Sequence, residues 1–314
     1  MKRLFINILF LVVLLSAHTA VSQTVIHEGD INFIVATDLG RNGYYQQKPI
    51  AQMMGELADS IDITAVLDLG DTHHYEGVQS VNDPLWWSNY ESVYSHPELM
   101  IPWYPVLGNH EYRGNTTAVI EYSNVSRRWQ MPARYYSRVF VGEDSDVKIK
   151  VIFIDTTPLI EKYRSTSDTY PDAAQQDPEA QLQWLEGELS DRSGADWVVV
   201  VGHHPIYADT SKDDSERLEM QSKVDPLLRK YNADMYLCGH IHNFQHVRVD
   251  GSDIDYVVNS SGSLSRRKVN PIEGTIYCGG DEGFSVLSAT KDSLTLSMIN
   301  NNGEVVHTVK RVSK

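Results

Sequence analysis

Residues 63–75 read ITAVLDLGDTHHY, and this stretch decides which fold we expect. Its first half is a short apolar run, which is typical of a buried strand in a parallel sheet, and we predict a strand over 63–71. The run stops in a polar cluster that holds Asp71, His73 and His74. Because ligands of open α/β sheets bind beyond the carboxyl ends of strands, this cluster marks a candidate site.

Five further apolar runs have the same form and alternate with helical patterns. They are INFIVATD (31–38), IPWYPVLGNH (101–110), VKIKVIFIDTT (147–157), DWVVVVGHH (196–204) and ADMYLCGH (233–240). One helix is predicted to begin with Asp177 as N-cap and Pro178 at its first position, and another to span 215–231. From Phe244 onward the sequence favours β-hairpins. We therefore predict one α/β domain with an antiparallel, strand-rich C-terminal portion.

Polar residues follow five of the six predicted strands. They are carboxylates, an amide and imidazoles: Asp38, Asp71, His73, His74, Asn109, His110, Glu111, His203, His204, His240 and His242. Each cluster alone is ordinary, since an Asp at a strand end usually forms a turn and a lone His is usually structural. Together they supply the ligand types that hold two hard or borderline cations. Two such ions about 3.5–4 Å apart polarise a phosphoryl group, so the sequence predicts a dinuclear metal site.

Charge and cysteine content narrow the function further. The 314 residues include 27 Lys or Arg and 42 Asp or Glu, for a formal net charge of −15. Nucleic-acid binders need clustered Lys and Arg, so we expect no nucleic-acid partner. Two cysteines, Cys238 and Cys278, are too few for a disulfide scaffold, and we expect Cys238 to be a buried free thiol.

The N-terminus has the form of a secretory signal. Lys2 and Arg3 precede an apolar run over 4–17, and small residues at 20 and 22 suit a cleavage site. We predict a signal peptide over 1–22 and one mature domain over 23–314, secreted or periplasmic and without a membrane association. An uncleaved membrane anchor is the alternative, although the run is short for a bilayer span.

The motifs DLG, LGD, LGNH, VGHH and CGHIH, in this order, resemble the calcineurin-like metallophosphoesterase superfamily. Longer segments such as IPWYPVLGNHEYRGN, QLQWLEGEL and ADMYLCGHIHNFQH are similar to the small, tartrate-resistant type of purple acid phosphatase. The resemblance implies an αββα fold in which two mixed sheets form a sandwich flanked by helices. It also implies phosphomonoester hydrolysis at two metal ions, with a metal-bound hydroxide as the nucleophile and no organic cofactor. The implied partner is a small phosphomonoester, and the implied state is a monomer.

The resemblance also assigns roles residue by residue. Asp38 and His242 would bind the first metal ion, and Asp71 would bridge both ions. The ligands of the second ion would be Asn109, His203 and His240. His110 would face the substrate and help the leaving group take a proton, with Glu111 orienting it. His73 and His204 would either bind substrate or contact the metal ligands and hold them in position.

Two departures from the family pattern affect these expectations. The family tyrosinate that binds ferric iron is replaced by His74, with Tyr75 one residue later. We expect His74 to be the ligand, with Tyr75 swinging in as the alternative. A neutral imidazole in place of a tyrosinate leaves the site with one negative charge fewer. This favours two divalent ions, such as Fe(II), Mn(II) or Zn(II), over the alternative of one Fe(III) paired with a second ion of Fe, Zn or Mn.

The second departure is a missing histidine after VGHHP, where the family has a further phosphate-binding histidine. Lys212 could replace it as a phosphate-binding cation, although we prefer to interpret it as a solvated loop charge.

Two alternative functions remain open from the sequence. One is a phosphodiesterase or nucleotide pyrophosphatase of the same superfamily, and the other is a secreted, non-catalytic metal-binding protein with a degenerate site.

Overall fold

Two mixed β-sheets carry the fold in the computed structural model, which describes residue 26, residues 28–265 and residues 267–313. The strands are β1 (Ile31–Ala36), β2 (Ala65–Asp68), β3 (Trp103–Pro105), β4 (Tyr136–Val141), β5 (Lys148–Phe153), β6 (Trp197–Val201), β7 (Met235–Cys238), β8 (Phe244–Val247), β9 (Asp255–Val258), β10 (Thr275–Gly279), β11 (Gly283–Ala289), β12 (Ser293–Asn300) and β13 (Val305–Val312). The predicted signal sequence and its cleavage site lie outside the described residues.

The helices are mostly short and lie between the strands. They are α1 (Gln47–Ala58), α2 (Pro84–Trp86), which continues into a π-helical turn (Trp87–Glu91), α3 (Thr116–Glu121), α4 (Glu161–Arg164), α5 (Pro178–Ser190), α6 (Asp214–Lys223) and α7 (Asp225–Lys230). Five single 3₁₀ turns in the described residues complete the helical structure: Pro97–Leu99, Glu111–Arg113, Tyr122–Asn124, Thr157–Leu159 and Ala173–Gln175.

The first sheet, sheet A, has the strand order β13-β12-β11-β1-β2-β3. Strands β1, β2 and β3 pair in parallel, so their carboxyl ends lie at one edge. On its other side, β1 pairs antiparallel with β11, and β11, β12 and β13 form consecutive hairpins. The C-terminal hairpins therefore extend the sheet that the N-terminal strand begins.

The second sheet, sheet B, has the order β10-β8-β9-β7-β6-β5-β4. Its centre, formed by β5, β6, β7 and β9, is parallel, while β4, β8 and β10 pair antiparallel at the two sides. All five residues of β6 are buried, as expected for a strand covered on both faces.

Aromatic side chains fill the interface between the two sheets. The Phe33 ring of β1 lies 4.8 Å from the Phe140 ring of β4, and the Tyr104 ring of β3 lies 5.2 Å from the same Phe140 ring. Burying such large side chains contributes about 1.5–3 kcal/mol each to stability. This packing joins the sheets face to face, and the predicted fold class, a sandwich of two mixed sheets flanked by helices, is confirmed.

The predicted strands are right in their apolar parts but too long at their carboxyl ends. The chain leaves the ladder before the polar clusters, because residues such as Asp38 and Asp71 adopt a positive φ that a strand does not allow. Strand β4 was not predicted, since its exposed and buried residues are mixed. The strand-rich C-terminal portion is not a separate unit, because β8–β10 join sheet B while β11–β13 join sheet A.

The helix predictions have a similar outcome. Asp177 caps α5 by accepting a hydrogen bond from the backbone of Ala180, as predicted. The single helix predicted over 215–231 is wrong, because α6 and α7 are separated at Val224, just before Pro226. Proline has no backbone N–H to donate to the preceding turn, and its ring crowds the carbonyl four residues before it, which accounts for the break.

Two further expectations concern thiols and membranes. Cys238 is buried, and its thiol donates to the carbonyl of Val257, so the predicted free thiol is confirmed. Among the described residues, no helix combines the length and the apolar character needed to cross a bilayer.

Candidate active site

The polar clusters converge where the parallel strands of both sheets end. Asp38 follows β1, Asp71 follows β2 and Asn109 follows β3, while His203 follows β6 and both His240 and His242 follow β7. All six residues are buried. Neighbouring parallel strands end at one edge, and the packing of the sheets brings the two edges together.

The backbone at this site is held in unusual conformations. The φ angles are +52° at Asp38, +57° at Asp71, +72° at His240 and +62° at His242. Such conformations cost about 1 kcal/mol or more at residues other than glycine and cluster at functional sites. At Gly70, φ is +91°, and a Cβ there would lie 2.7 Å from the backbone nitrogen of Gly108, so both motifs need glycine for their close approach.

A first candidate metal group consists of Asp38, His74 and His242. His242 Nε2 lies 2.9 Å and His74 Nε2 lies 3.8 Å from Asp38 Oδ1. The other ring nitrogen of His242 donates to the carbonyl of Leu264 at 2.7 Å, which leaves Nε2 free for a cation. The backbone of His240 donates to Asp38 Oδ2 at 2.8 Å and fixes the carboxylate.

A second candidate group consists of Asp71, His203 and His240. His203 Nε2 lies 3.2 Å from Asp71 Oδ2 and 3.2 Å from His240 Nδ1. His203 Nδ1 donates to the carbonyl of Leu69 at 2.8 Å, so Nε2 faces the group. Asn109 precedes His110, whose backbone donates to Asp71 Oδ1 at 2.9 Å. The Asn109 Oδ1 atom is buried and accepts no hydrogen bond within the described part of the chain.

The residues fit metal ions by their chemistry and by this unsatisfied oxygen. A buried amide oxygen without a donor costs about 1–3 kcal/mol, and a cation would remove that cost. The donors are carboxylate, amide and imidazole, which suit hard and borderline divalent ions. The first two groups have no residue in common, so they offer two separate candidate positions for an ion, and a third group, Asp71, His74 and His110, shares one residue with each.

Charge pairing controls the protonation of the two aspartates. Burial acts to raise the pKa of Asp38, but His242 and then His203 hold that pKa well below its usual range. Burial likewise opposes ionisation of Asp71, and His203, His110 and His74 hold its pKa well below the usual range. Burial also disfavours charge on His203, yet Asp71 raises the pKa of His203 to about 9. Both carboxylates are therefore ionised and ready to bind a cation.

His74, rather than Tyr75, faces the site. The His74 ring is buried, and its Nε2 lies 3.5 Å from Asp71 Oδ2. Tyr75, by contrast, is 57% exposed. A one-residue shift in the loop thus directs the imidazole inward and the phenol outward.

His110 lies at the open side of the site. Its side chain is 17% exposed, and its Nε2 lies 3.9 Å from Asp71 Oδ2. Its Nδ1 donates to the carbonyl of Tyr75 at 3.2 Å, which directs Nε2 toward the candidate metal groups. This is the position that a substrate-facing histidine requires.

Glu111 contacts backbone rather than the His110 side chain that it was expected to orient. Its two carboxylate oxygens accept hydrogen bonds from the backbone nitrogens of Asp71, His73 and Gly108, at 2.8–3.0 Å. The carboxylate therefore ties the loop after β2 to the loop after β3.

His73 and His204 both face away from the open side. His73 packs against Trp86, and burial lowers the pKa of His73 to about 3, so its ring is neutral. His204 lies between Thr156 Oγ1 at 2.8 Å and the Tyr163 hydroxyl at 3.0 Å. We expected these two histidines either to bind substrate or to hold the metal ligands in position. Their buried contacts fit the second role and not the first.

Sequence reasoning missed a group of charges behind His240. Glu216 Oε2 lies 2.9 Å from His240 Nε2, and Lys212 Nζ lies 2.7 Å from the same nitrogen. The expectation that Lys212 is a solvated loop charge is wrong, because its ammonium group packs against a candidate ligand. No sequence signal marks Glu216, which lies in α6 among other charged residues.

Two arginines near the open side were also missed. Arg41 is 7% exposed and donates to the carbonyl of Gly40 at 2.9 Å, while Arg113 donates to the carbonyl of Tyr75 at 3.2 Å. The Nε atom of each guanidinium is buried and has no hydrogen-bond partner among the described residues. Arg41 adds positive charge near Asp38 and Asp71, and Arg113 adds it near His110.

Known proteins with similar sequences are phosphatases. The chain is 31% identical over 292 residues to purple acid phosphatase 17 of Arabidopsis thaliana, covering 89% of this chain and 84% of that protein. It is 30% identical over 268 residues to human tartrate-resistant acid phosphatase type 5, covering 79% of this chain and 80% of that protein.

Solved structures give the same fold. GAP50, the anchor in the inner membrane complex of Plasmodium, matches with a TM-score of 0.77 and 25% identity, over 90% of this chain and 89% of that one. The purple acid phosphatase PPD1 from yellow lupin matches with a TM-score of 0.64 and 16% identity, over 89% of this chain and 53% of that one.

The sequence profile described as calcineurin-like phosphoesterase matches residues 25–244. This range contains every candidate ligand from Asp38 to His242, and the relatives of similar length are phosphoester hydrolases by name. The expected enzyme class and the resemblance are thus confirmed, and the chain belongs to the calcineurin-like phosphoesterase family.

Proposed function

We propose that this protein hydrolyses small phosphomonoesters with two metal ions at the site between the sheets. The observation that carries the proposal is the pair of buried candidate metal groups, Asp38–His74–His242 and Asp71–His203–His240, with His110 at their open side. When bound, the two ions would polarise the phosphoryl group and activate water as the nucleophile.

The residues of the chain have separate tasks in this reaction. Asp38, Asp71 and Asn109 hold the cations, with imidazoles completing each group. His110 carries the proton that the leaving oxygen takes, and the Tyr75 carbonyl keeps its Nε2 directed inward. No side-chain nucleophile is needed, so we expect no covalent phosphoenzyme.

Positive charge at the open side favours a monoester over a diester. A monoester phosphate carries up to two negative charges at neutral pH, whereas a diester carries one. Arg41 lies over the Tyr75 ring, and Arg113 donates to the same Tyr75 carbonyl as His110. Guanidinium groups bind phosphate oxygens well. The phosphodiesterase alternative therefore has less support.

The test measures phosphate release from an aryl phosphomonoester and from the matched diester. The full chain without its signal peptide is loaded separately with Fe, Mn and Zn, and rates are read across pH. We expect metal-dependent turnover with the monoester preferred. Faster turnover of the diester would favour the phosphodiesterase alternative, and bound metal without any turnover would favour the non-catalytic one.

We also propose that the ions are two divalent cations, because His74 brings no negative charge. The variant His74→Tyr restores a phenol at the ligand position. After loading with iron and oxidation, it should gain a visible tyrosinate-to-iron absorption band that the wild-type protein lacks. A strong band in the wild type would instead mean that Tyr75 moves in as the ligand.

We propose, finally, that residues 1–22 direct export and are removed, leaving residues 23–314 as one monomeric domain outside the cytoplasm. The basic start, the apolar run and the small residues at 20 and 22 support this proposal. Intact mass and sedimentation of the exported protein test it, with a mature chain beginning at Gln23 as the expected result.

A further inference from the structure

Tyr75 has no role in the site described so far, although it adjoins the candidate ligand His74. The residue is 57% exposed, and the proposed ligand is its neighbour His74. Its φ is +73°, a left-handed conformation that a bulky residue rarely adopts without a reason. The chain thus holds an aromatic ring in solvent beside a catalytic site at a conformational cost.

The backbone of Tyr75 is held by His110, the residue that we propose gives a proton to the leaving group. His110 Nδ1 and Arg113 Nη1 both donate to the Tyr75 carbonyl, each at 3.2 Å. A leaving group whose oxygen takes a proton from His110 therefore departs next to the residue that holds His110. The Tyr75 ring offers an exposed aromatic surface on that same residue.

Among the described residues, Arg41 supports one side of the ring. The Arg41 guanidinium carbon lies over the Tyr75 ring at 5.1 Å from its centre, a cation–π contact. Arg41 is itself buried and anchored to the Gly40 carbonyl, so the supporting surface is rigid. A ring that is fixed on one side and exposed elsewhere is pre-organised to stack with a second flat group.

We propose that Tyr75 is a stacking platform for a planar aromatic leaving group of the phosphomonoester, with Arg41 as the positioning residue beneath it. The inference rests on the proposed phosphomonoesterase function and names its substrate class. The ring of the substrate lies against Tyr75 while its ester oxygen is directed to His110. A saturated leaving group covers the same area less closely and gains no ring–ring attraction.

The experiment compares benzyl phosphate with cyclohexylmethyl phosphate. Both have a six-membered ring one carbon from the ester oxygen, and both release primary alcohols of similar acidity, so they differ mainly in ring flatness. We expect the wild-type kcat/KM to favour benzyl phosphate by about 3- to 10-fold. In Tyr75→Leu this ratio should fall to about one, and in Tyr75→Phe, which keeps the ring, it should be retained.

Two further variants separate ring loss from other effects. Tyr75→Asn removes the ring with a residue that tolerates positive φ, so it should lower the ratio as Tyr75→Leu does. Arg41→Gln removes the support and should lower the ratio partly. Calorimetric binding of benzylphosphonate and cyclohexylmethylphosphonate gives the same comparison without turnover.

The outcomes distinguish the inference from the function on which it rests. If the wild type hydrolyses neither ester with any metal, the proposed function fails. If it hydrolyses both, but the ratio is the same with and without a ring at position 75, the stacking platform is wrong and the function stands.

Discussion

The two sheets contribute different chemistry to one site. Sheet A supplies every oxygen donor, Asp38, Asp71 and Asn109, from the ends of β1, β2 and β3, together with the imidazoles of His74 and His110. The candidate donors of sheet B are imidazoles alone, those of His203, His240 and His242 after β6 and β7. The groups Asp38–His74–His242 and Asp71–His203–His240 each draw from both sheets. Neither sheet alone holds these groups, so the site forms only when the sandwich packs.

The sheets also differ in how their donors are held. On sheet A, Glu111 accepts three backbone hydrogen bonds and fixes the loops. On sheet B, Glu216 contacts the His240 ring itself. The carboxylates of sheet A therefore lie in loops that are tied together through their backbone. Each imidazole of sheet B is instead oriented through its own ring, by Glu216 at His240 and by the carbonyls of Leu69 and Leu264 at His203 and His242.

The largest effect is expected from breaking the link between the sheets at Asp71. Asp71 belongs to two of the candidate groups, while Asp38 belongs to one. Asp71→Asn keeps the size but removes the charge, so turnover should fall by about 10³-fold, comparable with the loss of a key charge-stabilising group. Metal content should fall further in Asp71→Asn than in Asp38→Asn.

Metal analysis, turnover and thermal unfolding of both variants check this prediction. The fold should change little, because the substitution is isosteric. Equal metal loss in the two variants would contradict the bridging position of Asp71.

A smaller effect is expected from Glu216, on the imidazole side. Glu216→Gln weakens the hold on His240 and should reduce metal affinity at the second group by about 10- to 100-fold. The control is Glu219→Gln in the same helix, since Glu219 accepts from Lys223 and lies outside the candidate groups. Competition with a chelator measures the affinities. Equal metal affinities in the two variants would show that Glu216 has only a structural role.

The smallest expected effect is a pH dependence of metal affinity, which arises from the contact between Asp71 of sheet A and His203 of sheet B. Asp71 raises the pKa of His203 to about 9 against the effect of burial, so the metal-free ring carries a proton below that pH. A cation must displace this proton, and its affinity should therefore rise by up to about tenfold per pH unit and level off above pH 9. The stability that this proton contributes is present at low pH and is lost as pH rises through 9.

Titration calorimetry in buffers of different ionisation enthalpy measures the proton released per bound ion. Release of about one proton near pH 7 is expected. Affinity that does not change between pH 6 and 8 would show that His203 binds as a neutral ring throughout.

Much of the fold could be predicted because a buried strand has a recognisable local sequence, a short run of apolar residues. The run WVVVV of β6 is apolar throughout and is buried throughout. β4 was missed because its alternation is imperfect, and the break between α6 and α7 was missed although Pro226 marks it. Strand partners are not local, so the sequence did not reveal that β11 pairs with β1.

The sequence by itself determined the donor types, their order and the family, because ligand chemistry lies in short motifs at strand ends. Only the tertiary structure decided which donors meet, that His74 turns inward and Tyr75 outward, and that Glu216 lies against His240. These outcomes depend on side-chain direction and on contacts between residues far apart in the chain, such as the 24 positions between Glu216 and His240. Local pattern does not encode such contacts, since they arise when two separately patterned sheets pack together.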